Sequence, residues 1–327
     1  VERGCTVGKL GPTEVVMANR RLVIQCVLDA GHPSRTEIAE QSGLSTATVT
    51  RVVAYLMTVG ILAEDTALVA TEGRSRIPII INPSYGIVAL IEFECYGLVV
   101  HLFDFSLKET ASVPLAYAET AEKTLKRICH VLPDPTSFGR ELRGIGVVWC
   151  DGAPGADDRE ARAHLLRQLK ERYGVPVCER DEQECAEAEI LSRQAETVRD
   201  NHLLVAFGSR VRVSIAQKGQ TVNLRGGSSA DLTETLGPAA GPSFADTLSE
   251  LLSFLMQLFT IEAIFFMFTG FSSSRTGRFE AVREAMAGFR KKGSASVPVI
   301  YFEQSSEGRR AIVSAEVRES VLLKAAA

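Results

Sequence analysis

Residues 34–57, SRTEIAEQSGLSTATVTRVVAYLM, leave the backbone less choice than any other stretch of the chain. Ser34 followed three places on by Glu37 makes a capping box, so a helix starts there. Gly43 stops that helix, with φ expected above zero. Ser45 is placed to cap a second helix. Ile38 and Ala39 in the first helix, and Val49, Val52, Val53 and Leu56 in the second, make apolar faces at helical spacing. The spacing predicts two short helices packed across a tight turn that Leu44 anchors.

The other face of the second helix begins with Thr46, Ala47, Thr50 and Arg51, with Ser45 and Thr48 beside them. Hydroxyl-bearing residues are poor interior helix formers. A helical hairpin inside an ordinary core therefore accounts for the apolar stripe and not for these residues. Small hydroxyls and one cation suit a helix end entering the major groove of duplex DNA. Ser45, Thr46, Thr48, Thr50 and Arg51 are thus candidate DNA contacts, and Arg35 is a candidate backbone contact. Before this pair, residues 14–30 predict a helix with Val16, Val23, Val27 and Leu28 inward, closed by Gly31, His32 and Pro33. After it, strands near 61–70 and 76–81 flank a loop holding Arg74 and Arg76. A hairpin at that position is a wing, with both arginines aimed at phosphates or a narrow minor groove. Residues 1–84 hold eight basic and eight acidic side chains, so a DNA surface requires the arginines to cluster in space.

The chain has 327 residues, 46% of them apolar, and a formal net charge of -4. That supports two or three domains with real cores and excludes nucleic-acid binding through overall basicity. No run of 18 apolar residues occurs, and the start VERGCTVGKL has no apolar leader core, so a cytoplasmic protein without a membrane partner is expected. The seven cysteines contain no CxxC pair, which fits reduced thiols. The five histidines are scattered, and no set of metal ligands is legible, so no metal or cofactor is expected.

From Asn82, Pro83 and Ser84 onward the pattern changes. Strands are expected over 85–90, 98–105 and 109–114, a helix over 120–132, a strand over 142–149, a helix over 159–173, a strand over 175–178 and a helix over 182–196. A second meander follows over 202–207, 212–217 and 220–224, then a loop over 225–241, a helix over 243–258, a strand over 263–268 and a helix over 277–290. Late strands are expected over 297–302 and 311–313, with a terminal helix over 317–323. The order meander, helix, strand, helix occurs twice, which predicts an α/β unit of two similar lobes facing a cleft.

Several stretches resemble the ROK family, specifically its repressor branch of xylose and N-acetylglucosamine regulators. They are NRRLVIQCVLDAGHPSRTEIAEQSGLSTATVTRVVAYLMTVGIL, TEGRSRIPIIINP, YGIVALIEFECYGLVVHLFDF, YGVPVCERDEQECAEAE, HLLVAFGSRVRVSIAQKGQ and LFTIEAIFFMFTG. The resemblance implies a winged helix-turn-helix domain over 1–82. Over 83–327 it implies a two-lobed, actin-like and sugar-kinase-like (ribonuclease H-like) domain. It implies a homodimer or tetramer on a palindromic operator, answering to a sugar or sugar-phosphate effector. It places Asp181 where the family's kinases keep their catalytic base. The kinase equipment departs from the family: Glu92 and Glu94 sit in the first phosphate turn, only Gly208 remains in the second, and no histidine follows near 226–236. Phosphoryl transfer needs backbone donors for phosphate, so no catalytic residue is assigned. Asp181 and Arg210 remain candidate ligand contacts. The expected function is a DNA-binding regulator, a repressor of carbohydrate-related genes, whose second domain senses a sugar-like ligand or only oligomerises. The alternatives are a sugar or amino-sugar kinase with a fused DNA module, and a non-catalytic dimerisation scaffold.

Overall fold

The computed structural model describes residues 11–65, 77–133, 141–193, 200–224, 228–237, 243–269, 275–291 and 297–326. Three helices open it: α1 (Pro12–Ala30), α2 (Arg35–Ser42) and α3 (Thr46–Thr58). Each start and stop has a local cause. The Ser34 and Glu37 side chains and backbones form the reciprocal capping box, and Gly43 ends α2 in the left-handed region at φ 68°. The Ser45 side chain accepts from the Thr48 N–H at the start of α3. Val23, Ile24, Cys26 and Val27 of α1 meet Ile38, Ala39, Val49, Val52, Val53 and Leu56 in one buried cluster. Val16, expected inward, is exposed, and Ile24 and Cys26 are buried along with the expected Val23 and Val27.

Strands β1 (Leu62–Glu64) and β2 (Ile79–Ile81) form an antiparallel ladder, with Leu62 opposite Ile81. Arg74 and Arg76 lie outside the described residues. One turn of 3-10 helix (Pro83–Tyr85), capped by the Asn82 side chain, leads into the larger part.

That part holds two sheets of one plan. The first is ordered β5-β4-β3-β6-β7, from β3 (Ile87–Phe93), β4 (Leu98–Asp104), β5 (Glu109–Leu115), β6 (Leu142–Trp149) and β7 (Val177–Asp181). β3, β6 and β7 run parallel, and β4 and β5 continue the sheet antiparallel. The second is ordered β10-β9-β8-β12-β13, from β8 (His202–Phe207), β9 (Val211–Gln217), β10 (Gln220–Thr221), β12 (Ala263–Phe268) and β13 (Val299–Phe302), with β11 (Ala230–Asp231) also on β9. Again two strands pair parallel beyond the first and its hairpin partner is antiparallel. Helices α4 (Ala121–Val131), α5 (Arg159–Tyr173), α6 (Glu182–Arg193), α7 (Thr233–Leu236), α8 (Phe244–Leu258), α9 (Arg275–Lys291) and α10 (Ser306–Ala325) complete the fold. Among the described residues, no helix is long and apolar enough to cross a membrane.

The structure also corrects three expected elements of the larger part. The loop expected over 225–241 contains β11 and the short helix α7 within its described residues. β7 extends past Cys178 to Asp181, because its charged end is partnered: Glu179 by Arg162, Arg180 by Glu316 and Asp181 by Arg212. The strand expected over 311–313 and the helix over 317–323 are one helix, α10. β-branched Ile312 and Val313 suggested a strand, but Val313, Val317 and Val321 recur every fourth residue and make one helical stripe.

That stripe packs on β6 at Gly144 and Gly146. A Cβ on Gly144 would lie 2.5 Å from a Val317 methyl, and one on Gly146 would lie 2.7 Å from a Val313 methyl and 3.0 Å from Leu90. The glycines set how closely helix and sheet approach. Gly146→Ala should cost about 1–3 kcal/mol, the usual penalty for overpacking, read as a lowered urea midpoint.

Candidate functional site

The exposed side of α3 is the first candidate surface. Thr46, Ala47, Thr50 and Arg51 are exposed, and Thr48 is half-buried. Thr48 Oγ1 bonds Ser45 Oγ at 2.9 Å, so these two hydroxyls serve the helix cap. Thr50 Oγ1 donates to the Thr46 carbonyl. Arg51 has no ion-pair partner among the described residues. Arg35 is anchored instead: its Nη2 lies 2.9 Å from Glu64 Oε1 on β1, tying the start of α2 to the ladder. The Arg20 guanidinium stacks 3.8 Å over the Tyr55 ring and ties α1 to α3. The structure therefore brings Thr46, Thr50 and Arg51 to one open face and engages Ser45, Thr48 and Arg35 in local bonds.

The second candidate is the cleft between the lobes, at the carboxyl ends of β6, β7 and β12, the usual ligand position in α/β sheets. At its base lies a buried ion-pair network. Arg309 of α10 donates from Nε to Glu92 Oε1 on β3 at 2.6 Å and from Nη1 to Glu182 Oε1 on α6 at 3.0 Å. Glu182 Oε2 accepts from the Asp151 N–H. His101 Nε2 lies 3.7 Å from the other Glu92 oxygen, and its Nδ1 is 3.0 Å from Glu109. Glu92 thus points into the base of the first lobe, and only Glu94 stands in the β3–β4 turn where both carboxylates were expected.

Burial opposes ionisation of Glu92, but the His101 and Arg309 contacts outweigh it and hold the carboxyl below its usual range. Burial lifts Glu182 above its usual range, and Arg309 offsets only part of that. His101 is disfavoured as a cation by burial, yet the nearby Glu92 carboxylate and its bond to Glu109 raise it overall.

The turn after β8 meets the loop after β6 across the cleft. Asp151 Oδ2 accepts from the Ser209 N–H at 2.8 Å and Oδ1 from the Ser209 hydroxyl at 2.6 Å. Gly208 is glycine because a Cβ there would collide with Asp151 and Thr269. Backbone N–H and hydroxyl donors in such a turn are what a phosphate would otherwise meet, and here the chain's own carboxylate takes them. Arg210 lies 3.3 Å from Asp157 and 3.2 Å from Asp231. Asp181 accepts from Arg212 through Oδ2 and from the Glu184 N–H through Oδ1, while Glu184 returns a bond to the Asp181 N–H. Asp181 and Arg210 thus line one chamber of about 660 Å³, and both are already paired there. The pairings that sequence reasoning missed span 58 residues for Asp151–Ser209 and 217 for Arg309–Glu92, with no local signal for either.

No family model and no curated protein sequence matches the chain. A solved structure described as a ROK family transcriptional regulator, homologous to the E. coli MLC protein, superposes with TM-score 0.62 at 13% identity, covering 95% of this chain and 98% of that one. A ROK family protein from Streptococcus pneumoniae, solved with sucrose, gives 0.49 at 12%, covering 73% and 99%. The ROK hexokinase from Thermus thermophilus gives 0.46 at 12%, covering 71% and 98%. The first of these likenesses shows that the chain shares the fold of that regulator over 95% of its length.

Removing Arg309 strands two buried carboxylates. Arg309→Ala should cost about 3–5 kcal/mol in denaturant unfolding, whereas Arg210→Ala, at a half-open ion pair, should cost less than about 1 kcal/mol. The Glu92–His101 contact also sets a pH window. Glu92, lowered in the folded state, contributes above its unfolded value of about 4.3 and loses that contribution as pH falls. His101, raised in the folded state, contributes below about 6.5 and loses that contribution as pH rises through its folded value. His101→Gln should therefore flatten the alkaline-side decline of the urea midpoint measured across pH 6–9.

Proposed function

We propose that the chain is a sequence-specific DNA-binding transcriptional regulator of the ROK repressor branch, acting on carbohydrate-related genes. Residues 1–82 form its winged helix-turn-helix domain and 83–327 its sensing and oligomerising domain. The observation that carries this reading is the outward face of α3, where Thr46, Ala47, Thr50 and Arg51 stand open beside a capped helix start. The opposite face is wholly committed to the core, so α3 can meet a groove without losing its own packing. The α3 hydroxyls and Arg51 read bases and phosphates, Arg74 and Arg76 reach the flanking backbone, and a homodimer or tetramer engages a palindromic operator.

The larger part is a sensor or dimerisation unit and not a kinase. Asp151 fills the turn that would hold a phosphate, and Asp181 is locked by Arg212. Helix α10 supports a sensing role: Arg309 at its start lines the cleft, and the same helix also contacts α1.

The test is selection from a random duplex pool at about 0.15 M salt, where exposed charges are partly screened. An enriched palindrome with half-sites one turn apart, about 34 Å, is the expected result, and absence of enrichment across a salt series would sink the reading. Arg51→Ala should weaken operator binding by about 1–3 kcal/mol with an unchanged unfolding midpoint. Hexose-dependent turnover of ATP, lost in Asp181→Asn, would instead establish the kinase.

A further inference from the structure

We infer that the cleft between the lobes binds an amine-bearing organic ligand, held at its mouth by Glu94 and the ring of Tyr96, and rejects phosphorylated ones. This deepens the sensing role proposed above by naming the chemistry sensed.

The cleft holds a second chamber of about 510 Å³, a size ordinary for small-molecule sites. Among the described residues its lining includes four carboxylates, Glu94, Asp151, Glu182 and Glu303, against one cation, Arg309; Asp151 is bonded to Ser209, Glu182 to Arg309, and Glu303 has a contact of its own, which leaves Glu94. Arg309 is already bonded to Glu92 and Glu182, so its charge is offset by two carboxylates. Glu94 is exposed and has no ion-pair partner among the described residues. Two residues along the same turn, Tyr96 is 86% exposed, far more than any other large apolar side chain described. An aromatic ring and an unpaired carboxylate lining one chamber can each attract an ammonium group, the first by cation–π and the second by direct charge. An anion entering the same chamber meets the like charge of Glu94.

Two further observations agree. The Cys95 thiol is pushed up first by burial and then by the carboxylates Asp151, Glu182 and Glu94. Gln304 also lines it, and neither its amide nitrogen nor its amide oxygen has a partner among the described residues. That amide offers one donor and one acceptor for the uncharged part of a ligand.

Calorimetric titration of the full chain with glucosamine, spermidine, glucose and glucose 6-phosphate tests the assignment. At least one of the two amines should bind, with glucose about tenfold weaker than glucosamine where glucosamine is the binder, as loss of one cation–π and charge contact implies. Glucose 6-phosphate should give no heat. Glu94→Gln and Tyr96→Leu should each weaken the amine about fivefold or more, whereas Glu119→Gln, on the surface outside the cleft, should leave it unchanged. Equal binding of glucose 6-phosphate, no amine binding up to about 10 mM, or an unchanged affinity in Glu94→Gln in a folded protein would overturn the inference. The readout needs no DNA, so its failure leaves the operator selection standing, and failure of that selection leaves this one standing.

Discussion

The guanidinium of Arg309 is the contact on which most of the larger part depends. It joins α10 to the first strand of one lobe through Glu92 and to the start of α6 through Glu182. Three charges removed from water are stable only when each satisfies another. Here the satisfaction is nearly complete: Glu182 also takes the Asp151 N–H, and His101 approaches the second Glu92 oxygen. The network sets where α10 sits, and α10 in turn covers β6 through glycines that let it lie close.

From that network the character of the cleft follows. A cleft built for nucleotides presents unpaired donors and cations to phosphate. Here the donors of the β8–β9 turn are taken by Asp151, and Arg210 and Arg212 are held by Asp157, Asp231 and Asp181. The scaffold shared with the solved ROK regulator is kept, while the local charges favour cations and donor-rich groups. Fold and site are separable in this way because a sheet's register depends on its core, and the charge at its carboxyl edge does not.

Much of the architecture was legible in the residues. β6, β8, β12 and α5 begin and end where turn residues bracket uniform apolar or amphipathic runs, because local backbone preference and burial agree there. The capping box at Ser34 and the left-handed Gly43 were equally local. Helix α10 was misread because Ile312 and Val313 favour strands in isolation, and only the sheet beneath them selects a helix. The cleft was legible in its membership, since Asp181 and Arg210 do line it. It was not legible in its pairing, since each clasp joins residues far apart in sequence: Asp151 with Ser209, Asp181 with Arg212 and Glu92 with Arg309. Arg35 shows the same limit on a smaller scale: its partner Glu64 comes 29 residues later.

Helix α10 has one more consequence, in the order of synthesis. Val23 of α1 and Leu322 of α10 belong to the same buried cluster, and the two helices touch. At about 5–20 residues per second, the chain between them takes some tens of seconds to emerge from a ribosome, whereas helices form within microseconds. The three amino-terminal helices therefore stand complete long before their last neighbour exists. In the interval the flank that α10 will cover stands open to solvent, while the Arg20 guanidinium laid over Tyr55 already ties α1 to α3.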